Sequence, residues 1–143
     1  MNFSIAVVIL AFLGSVSAGE TQIRAFGKLT CDMNHTWCIR MKLVERNFLA
    51  DDTIGTFGGI CFDGASVEPY ELKGTEYGDR FDSTYMIQMV VSHNCSFHGL
   101  IRTFMNKPRT VSTSETKYEF ESNYVLSAGG GLGTRVKNFD AAF

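Results

Sequence analysis

Residues 22–31 alternate in hydrophobicity. Ile23, Ala25, Leu29 and Cys31 fall on one face, and Arg24, Lys28 and Thr30 on the other. The same period of two returns from Tyr85 to Cys95, where Tyr85, Ile87, Met89, Val91, His93 and Cys95 share a face. A period of two marks a half-buried strand. Five further segments read as strands: 37–46, 53–57, 67–73, 99–106 and 117–127. In the last, Tyr118, Phe120, Tyr124 and Leu126 face inward while Lys117, Glu119, Glu121 and Asn123 face outward. Turn-forming residues separate them at Asp32-Met33-Asn34-His35, Gly58-Gly59 and Asp63-Gly64, and Lys107-Pro108 closes the sixth. Pro69 places the fourth strand at a sheet edge. The stretch 74–83 reads as irregular. Helical periodicity is absent after residue 18, and no internal repeat is visible. The pattern predicts an all-β, two-sheet sandwich of seven to eight strands.

The first eighteen residues differ in kind. An apolar run from Ile5 to Leu13 precedes Ser15-Val16-Ser17-Ala18, which has Val at −3 and Ala at −1. This is the layout of a secretory signal peptide cut between Ala18 and Gly19. The run is too short for a membrane span, which takes roughly 20 apolar residues. The chain therefore divides into a signal peptide (1–18), a sandwich domain (19–128) and a glycine-rich flexible tail (129–143) that begins Gly129-Gly130-Gly131-Leu132-Gly133. Nothing charged precedes Glu20, so the mature chain keeps the formal net charge of −2. Near neutrality argues against an electrostatic grip on nucleic acid.

Four cysteines follow the signal peptide: Cys31, Cys38, Cys61 and Cys95. An even count in a small secreted domain points to two disulfides, with three connectivities open. Strand parity puts Cys31 and Cys95 on inner faces and Cys38 on an outer one, which favours Cys31–Cys95 and Cys38–Cys61. Two N-glycosylation sequons remain, at Asn34 and Asn94. Asn34 lies in a turn, whereas Asn94 adjoins a cysteine expected to be bridged.

Several segments also resemble the nematode transthyretin-like proteins. Gly27-Lys28-Leu29-Thr30-Cys31 resembles that family's opening G-x-L-x-C strand. Met41-Lys42-Leu43-Val44-Glu45 followed by Asp51-Asp52 resembles its V-K-L strand and acidic loop. Tyr70-Glu71-Leu72-Lys73-Gly74-Thr75-Glu76 is similar to its F-x-L-x-G-x-E segment. Tyr85 to Cys95 is similar to its strand ending H-x-C, and Lys117-Tyr118-Glu119 with Leu126-Ser127-Ala128-Gly129 is similar to its closing strand. The family's usual further cysteines after the H-x-C strand and near the C-terminus are missing, and Cys38 and Cys61 stand instead, so the second bridge does not carry over. The resemblance implies a prealbumin-like sandwich, an extracellular location, a role at the cell surface with a protein or phospholipid partner, and no enzymatic activity.

Other chemistry finds less support in the residues. His93, Cys95 and His98 have zinc-like ligand types, but a bridged Cys95 has no thiolate to give. Asp51-Asp52 alone supplies too few oxygens for calcium. Gly129 to Gly133 lacks the lysine and the strand–helix context of a phosphate loop. Neither a G-x-S-x-G elbow nor the terminal Y-R-G-S of hydroxyisourate-opening sandwiches is present. No cofactor is expected. Phe48, Leu49, Phe57, Phe62, Phe97 and Phe104 exceed what inward alternation requires. An interaction patch is expected around Arg102, Lys107, Arg109, Phe97 and Phe104, with a cell-surface protein or phospholipid as partner. The competing expectation is a carrier of a small apolar ligand, in an inter-sheet cavity or between the subunits of a homodimer paired through edge strands.

Overall fold

The computed structural model describes residues 19–78 and 83–127, so the expected signal peptide and glycine-rich tail lie outside the described residues. Nine strands follow one another: β1 (Glu20–Cys31), β2 (Trp37–Glu45), β3 (Asp52–Phe62), β4 (Ser66–Tyr77), β5 (Thr84–His93), β6 (Arg102–Met105), β7 (Arg109–Ser112), β8 (Lys117–Glu121) and β9 (Tyr124–Val125). They form two sheets. The first has the order β4-β1-β8, and β9 also pairs with β1. The second has the order β3-β2-β5-β6, and β7 also pairs with β5. Within the first sheet β4 runs antiparallel to β1, while β8 and β9 run parallel to it. The second sheet is antiparallel throughout. Because β6 and β7 share one partner, and β8 and β9 another, the nine strands amount to seven ribbons, two of them interrupted.

Alternation in the two most regular strands translates directly into the core. Ile23, Ala25, Leu29 and Cys31 of β1 are buried, as are Tyr85, Ile87, Met89, Val91 and His93 of β5. Trp37, Ile39, Met41 and Leu43 of β2 face them from within the second sheet, and Tyr70 and Leu72 come from β4. The outward face of the first sheet carries a charged ladder. Arg24 pairs with Glu71 on β4 and with Glu119 on β8, and Lys73 and Lys117 neutralise the same two carboxylates.

The structure departs from the expected strands in five places, one of them the break of the expected strand 117–127 into β8 and β9. β3 does not stop at Phe57. Arg40 faces Gly58 and Ile39 faces Ile60, which leaves Gly59 as an extra residue in the ladder. Gly58 and Gly59 have φ of +111° and +73°, and this bulge continues the strand because neither carries a side chain. β4 extends through the stretch expected to be irregular as far as Tyr77, because β1 offers it partners up to Glu20. The sixth strand begins at Arg102, since Gly99 N bonds Ser96 O in a turn first. Finally, the chain resumes pairing after Pro108 as β7, a strand the sequence pattern did not predict.

The sandwich is closed along one side and open along the other. At the β3–β4 corner the backbones cross where Gly74 meets Ile54: a Cβ on Gly74 would overlap the Ile54 carbonyl oxygen. On the opposite side lie the two interrupted ribbons; β4, at the closed edge of its sheet, carries Pro69, so the expected edge position holds. Two disulfides fasten this frame. Cys31–Cys95, with Cα atoms 6.0 Å apart, ties the end of β1 to the chain two residues beyond β5 and so joins the sheets. Cys38–Cys61, at 4.0 Å, crosses directly between β2 and β3 on the outer face.

Candidate functional site

The six surplus apolar residues separate into two groups. Phe57, Phe62 and Phe104 pack against the core from its margin. Phe48, Leu49 and Phe97 are exposed, Phe48 at 101% and Leu49 at 92% of their full accessible area. Phe48 and Leu49 crown the loop between β2 and β3, and the base of that loop is clamped. Arg46 binds Asp51 at 2.9 Å, and the Asn47 side-chain amide donates to Asp52 at 2.8 Å. Arg46 also donates to Gln88 at 2.9 Å, takes the Met86 carbonyl with its backbone amide and reaches the Met105 sulfur at 3.8 Å. Met86 and Met105 are themselves exposed. The loop is thus a fastened projection with an apolar tip and a methionine-flanked base. Its two aspartates are occupied in holding it.

The five residues expected to form one patch are spread along β5–β7. Phe97 lies in the β5–β6 loop with its ring against His98, 5.1 Å between centroids. Arg102, Phe104 and Arg109 stand opposite His93, Val91 and Ile87, and therefore point to the inner side of the edge ribbon. Phe104 contacts His93 and Tyr124, while the Arg109 guanidinium lies 4.6 Å from the Phe120 ring centroid across the gap between sheets. Lys107 occupies the break between β6 and β7 and is exposed. Arg102, Lys107 and Arg109 make no ion pair among the described residues, in contrast to Arg24, Arg46, Lys73 and Lys117.

Where both ribbons break, a cleft of about 420 Å³ opens, lined by residues 106–109 and 122–124. Each break is held by an asparagine. Asn106 Oδ1 accepts from Met89 N at 2.8 Å, and its backbone carbonyl accepts from Gln88 Nε2 at 2.5 Å. Asn123 Oδ1 accepts from Lys28 N at 2.8 Å, and its amide donates to Glu121 at 2.9 Å. Tyr70 donates its hydroxyl to Ser122 O at 2.6 Å. The Tyr124 hydroxyl is buried beside these groups, close to Ser122, Tyr70 and Asn106. Burial raises the pKa of both phenols; hydrogen bonding to Ser122 and Tyr70, ahead of the charge of Arg109, works against the rise on Tyr124. Asn106, Asn123, Tyr70 and Tyr124 did not stand out in the sequence as site residues. The one available signal was asparagine inside a strand pattern, a residue sheets disfavour.

The metal-type residues are held apart. Cys95 is in its disulfide, His98 is exposed on the loop, and His93 is fully buried with neither ring nitrogen hydrogen-bonded. Among the described residues no group of three His, Cys, Asp or Glu side chains is placed to hold a metal ion, and no helix is long and apolar enough to cross a membrane.

Against this geometry the chain matches, over residues 27–129, the family described as Caenorhabditis elegans protein of unknown function (DUF870). The chain belongs to this family. The match begins inside β1 and extends past β9, so family membership covers both sheets, both disulfides and the cleft. A Caenorhabditis elegans relative, uncharacterized protein B0416.7, is 31% identical over 97 residues, covering 67% of this chain and 71% of the relative. The nematode affinity expected from the sequence is therefore established at the level of this family.

Proposed function

We propose that the chain is a secreted, non-enzymatic, transthyretin-like interaction protein that docks on a cell-surface protein through the loop between β2 and β3. The observation that carries this reading is the clamped Phe48-Leu49 tip. Two fully exposed apolar side chains on a fastened loop cost solubility, and a monomer gains nothing from them. Pinning by Arg46–Asp51 and Asn47–Asp52 lowers the ordering cost on docking. A protein partner is favoured over an anionic membrane because the charges flanking the tip are two aspartates and one arginine already paired with one of them. Two disulfides and an N-terminal apolar run support secretion. The transthyretin-like assignment draws on the motif residues, which fall in β1, β2, β4, β5 and β8 and on the acidic loop. Carriage of a small apolar ligand between the sheets has less behind it, because Trp37, Tyr85, Met41 and Met89 fill that space.

The test is saturable binding of the secreted protein to intact cells, with and without protease stripping of the surface, alongside vesicles with and without anionic lipid. Binding is expected to be protease-sensitive and to fall by about 30-fold in Phe48→Ala/Leu49→Ala, the size of an interface hot spot. Unfolding free energy should stay within about 0.5 kcal/mol, as for other surface changes. Wild-type binding by the double variant, or binding to vesicles alone, overturns the proposal.

A further inference from the structure

The cleft between the two interrupted ribbons is built rather than accidental. A sheet edge with a missing rung normally leaves backbone donors exposed to water. Here each gap is filled by an asparagine side chain that accepts from the neighbouring strand, Asn106 on Met89 N and Asn123 on Lys28 N. The two breaks face each other across the open side of the sandwich, and the space between them, about 420 Å³, falls in the range of small-ligand sites. Lys107 and Arg109 border it without an ion pair among the described residues. The Arg109 guanidinium rests over the Phe120 ring, 4.6 Å from its centroid, so it is seated before any ligand arrives. The Tyr124 hydroxyl is buried behind the cleft, close to Tyr70, whose own hydroxyl is committed to Ser122 O. Glu121, at the end of β8 beside the cleft, is engaged by the Asn123 amide.

Two cations without a carboxylate partner among the described residues suit a tetrahedral oxyanion. The Ser122 hydroxyl and the Pro108 and Tyr124 rings line the same cleft and suit the hydroxyls and the C–H face of a sugar. We propose that this cleft binds a sulfate or phosphate ester carried on a small saccharide. The site stands on different residues from the loop tip and does not depend on that tip docking anywhere.

The experiment is an amide-resolved NMR titration of the disulfide-intact protein with glucosamine 6-sulfate, glucose 6-phosphate, the two parent sugars, and inorganic sulfate and phosphate. Saturable shifts at the amides of residues 106, 107, 109 and 122–124 are expected with at least one ester, at least about tenfold tighter than its parent sugar or the matching free ion. Which ester binds tighter separates the sulfated from the phosphorylated source. Lys107→Gln and Arg109→Gln should each weaken binding by about tenfold or more, Arg109→Lys by less, and Phe48→Ala not at all. Lys107 is exposed in the break, so its variant keeps the test valid even where loss of the Arg109–Phe120 contact harms folding. No saturable shift with either ester at millimolar concentration, affinity equal to that of the parent sugar or free ion, or full binding by Lys107→Gln overturns the proposal.

Discussion

His93 sits on the inner face of β5 beside Phe104, fully buried, with both ring nitrogens unpartnered. Burial first, and the charge of Arg102 second, push its pKa down from 6.5 to about 4, with a weaker opposing effect from the Cys95 backbone. The unfolded chain takes up a proton near pH 6.5, while the folded chain resists until about pH 4. Between those values the unfolded state binds more protons, so stability falls as the pH falls, by about 3 kcal/mol in all. Denaturant midpoints of wild type and His93→Leu at pH 7.5 and pH 4 should differ accordingly: the variant loses that much less on acidification. Equal losses would mean that the imidazole finds a partner. The inward direction of His93 was legible from parity, but its lack of a partner depends on what two other strands bring near it. The sequons behave alike in this respect, since a motif does not report its own hydrogen bonds. Asn94 Oδ1 accepts from Cys38 N at 2.6 Å, and the Ser96 hydroxyl is buried on Leu100 O. Asn34 is exposed in its turn. Mass spectrometry of secreted protein should therefore find glycan on Asn34, removed by Asn34→Gln, and an unmodified Asn94.

At the scale of the element, the interrupted ribbons mark how far a hydrophobic pattern can be followed. Phe120 and Tyr124 both face inward at the same parity, so nothing in the alternation signals that pairing stops between β8 and β9. The gap is a backbone event, and side-chain patterns record it only through Asn123. On the other ribbon, Pro108 announced the end of β6 but not the return of β7, a four-residue strand whose one buried side chain is Val111. By contrast β1 and β5 were legible almost to the residue, because each buries one whole face for ten residues or more. The asparagine rungs differ in exposure, and their energetics should differ too. Asn106→Ala strands the Met89 amide within the second sheet and is expected to cost about 1–3 kcal/mol. Asn123→Ala frees the Lys28 amide at an exposed position where water can replace the acceptor, and is expected to cost under about 1 kcal/mol. Hydrogen exchange at Met89 N and Lys28 N, read with denaturant midpoints, checks the order. A larger cost at Asn123 would move the structural weight to the first sheet.

For the whole molecule, the two disulfides do different work, and parity alone separated them. Cys31–Cys95 spans 64 residues of sequence and joins the sheets through the core, both residues being at most 1% exposed. Cys38–Cys61 spans 23 residues within one sheet, with Cys61 open to solvent. On chain entropy alone the longer closure is worth about 4 kcal/mol and the shorter about 3 kcal/mol, a modest difference. Access separates them far more. Thiol exchange needs an attacking thiolate in line with a sulfur, which an exposed bridge permits in the native state and a core bridge permits only after opening. Limited reduction under native conditions, followed by alkylation and peptide mapping, should therefore give first a species modified at Cys38 and Cys61 alone. That species should keep both sheets, with native-like far-ultraviolet dichroism and a lower melting temperature, because β2 and β3 remain paired on either side of the lost bridge. Modification at Cys31 and Cys95 should appear only with denaturant or heat, and should coincide with loss of tertiary structure. Simultaneous opening of the two bridges in the folded protein would mean that the sheets separate readily. The sandwich would then owe its cohesion to the bridges rather than to the side chains between them.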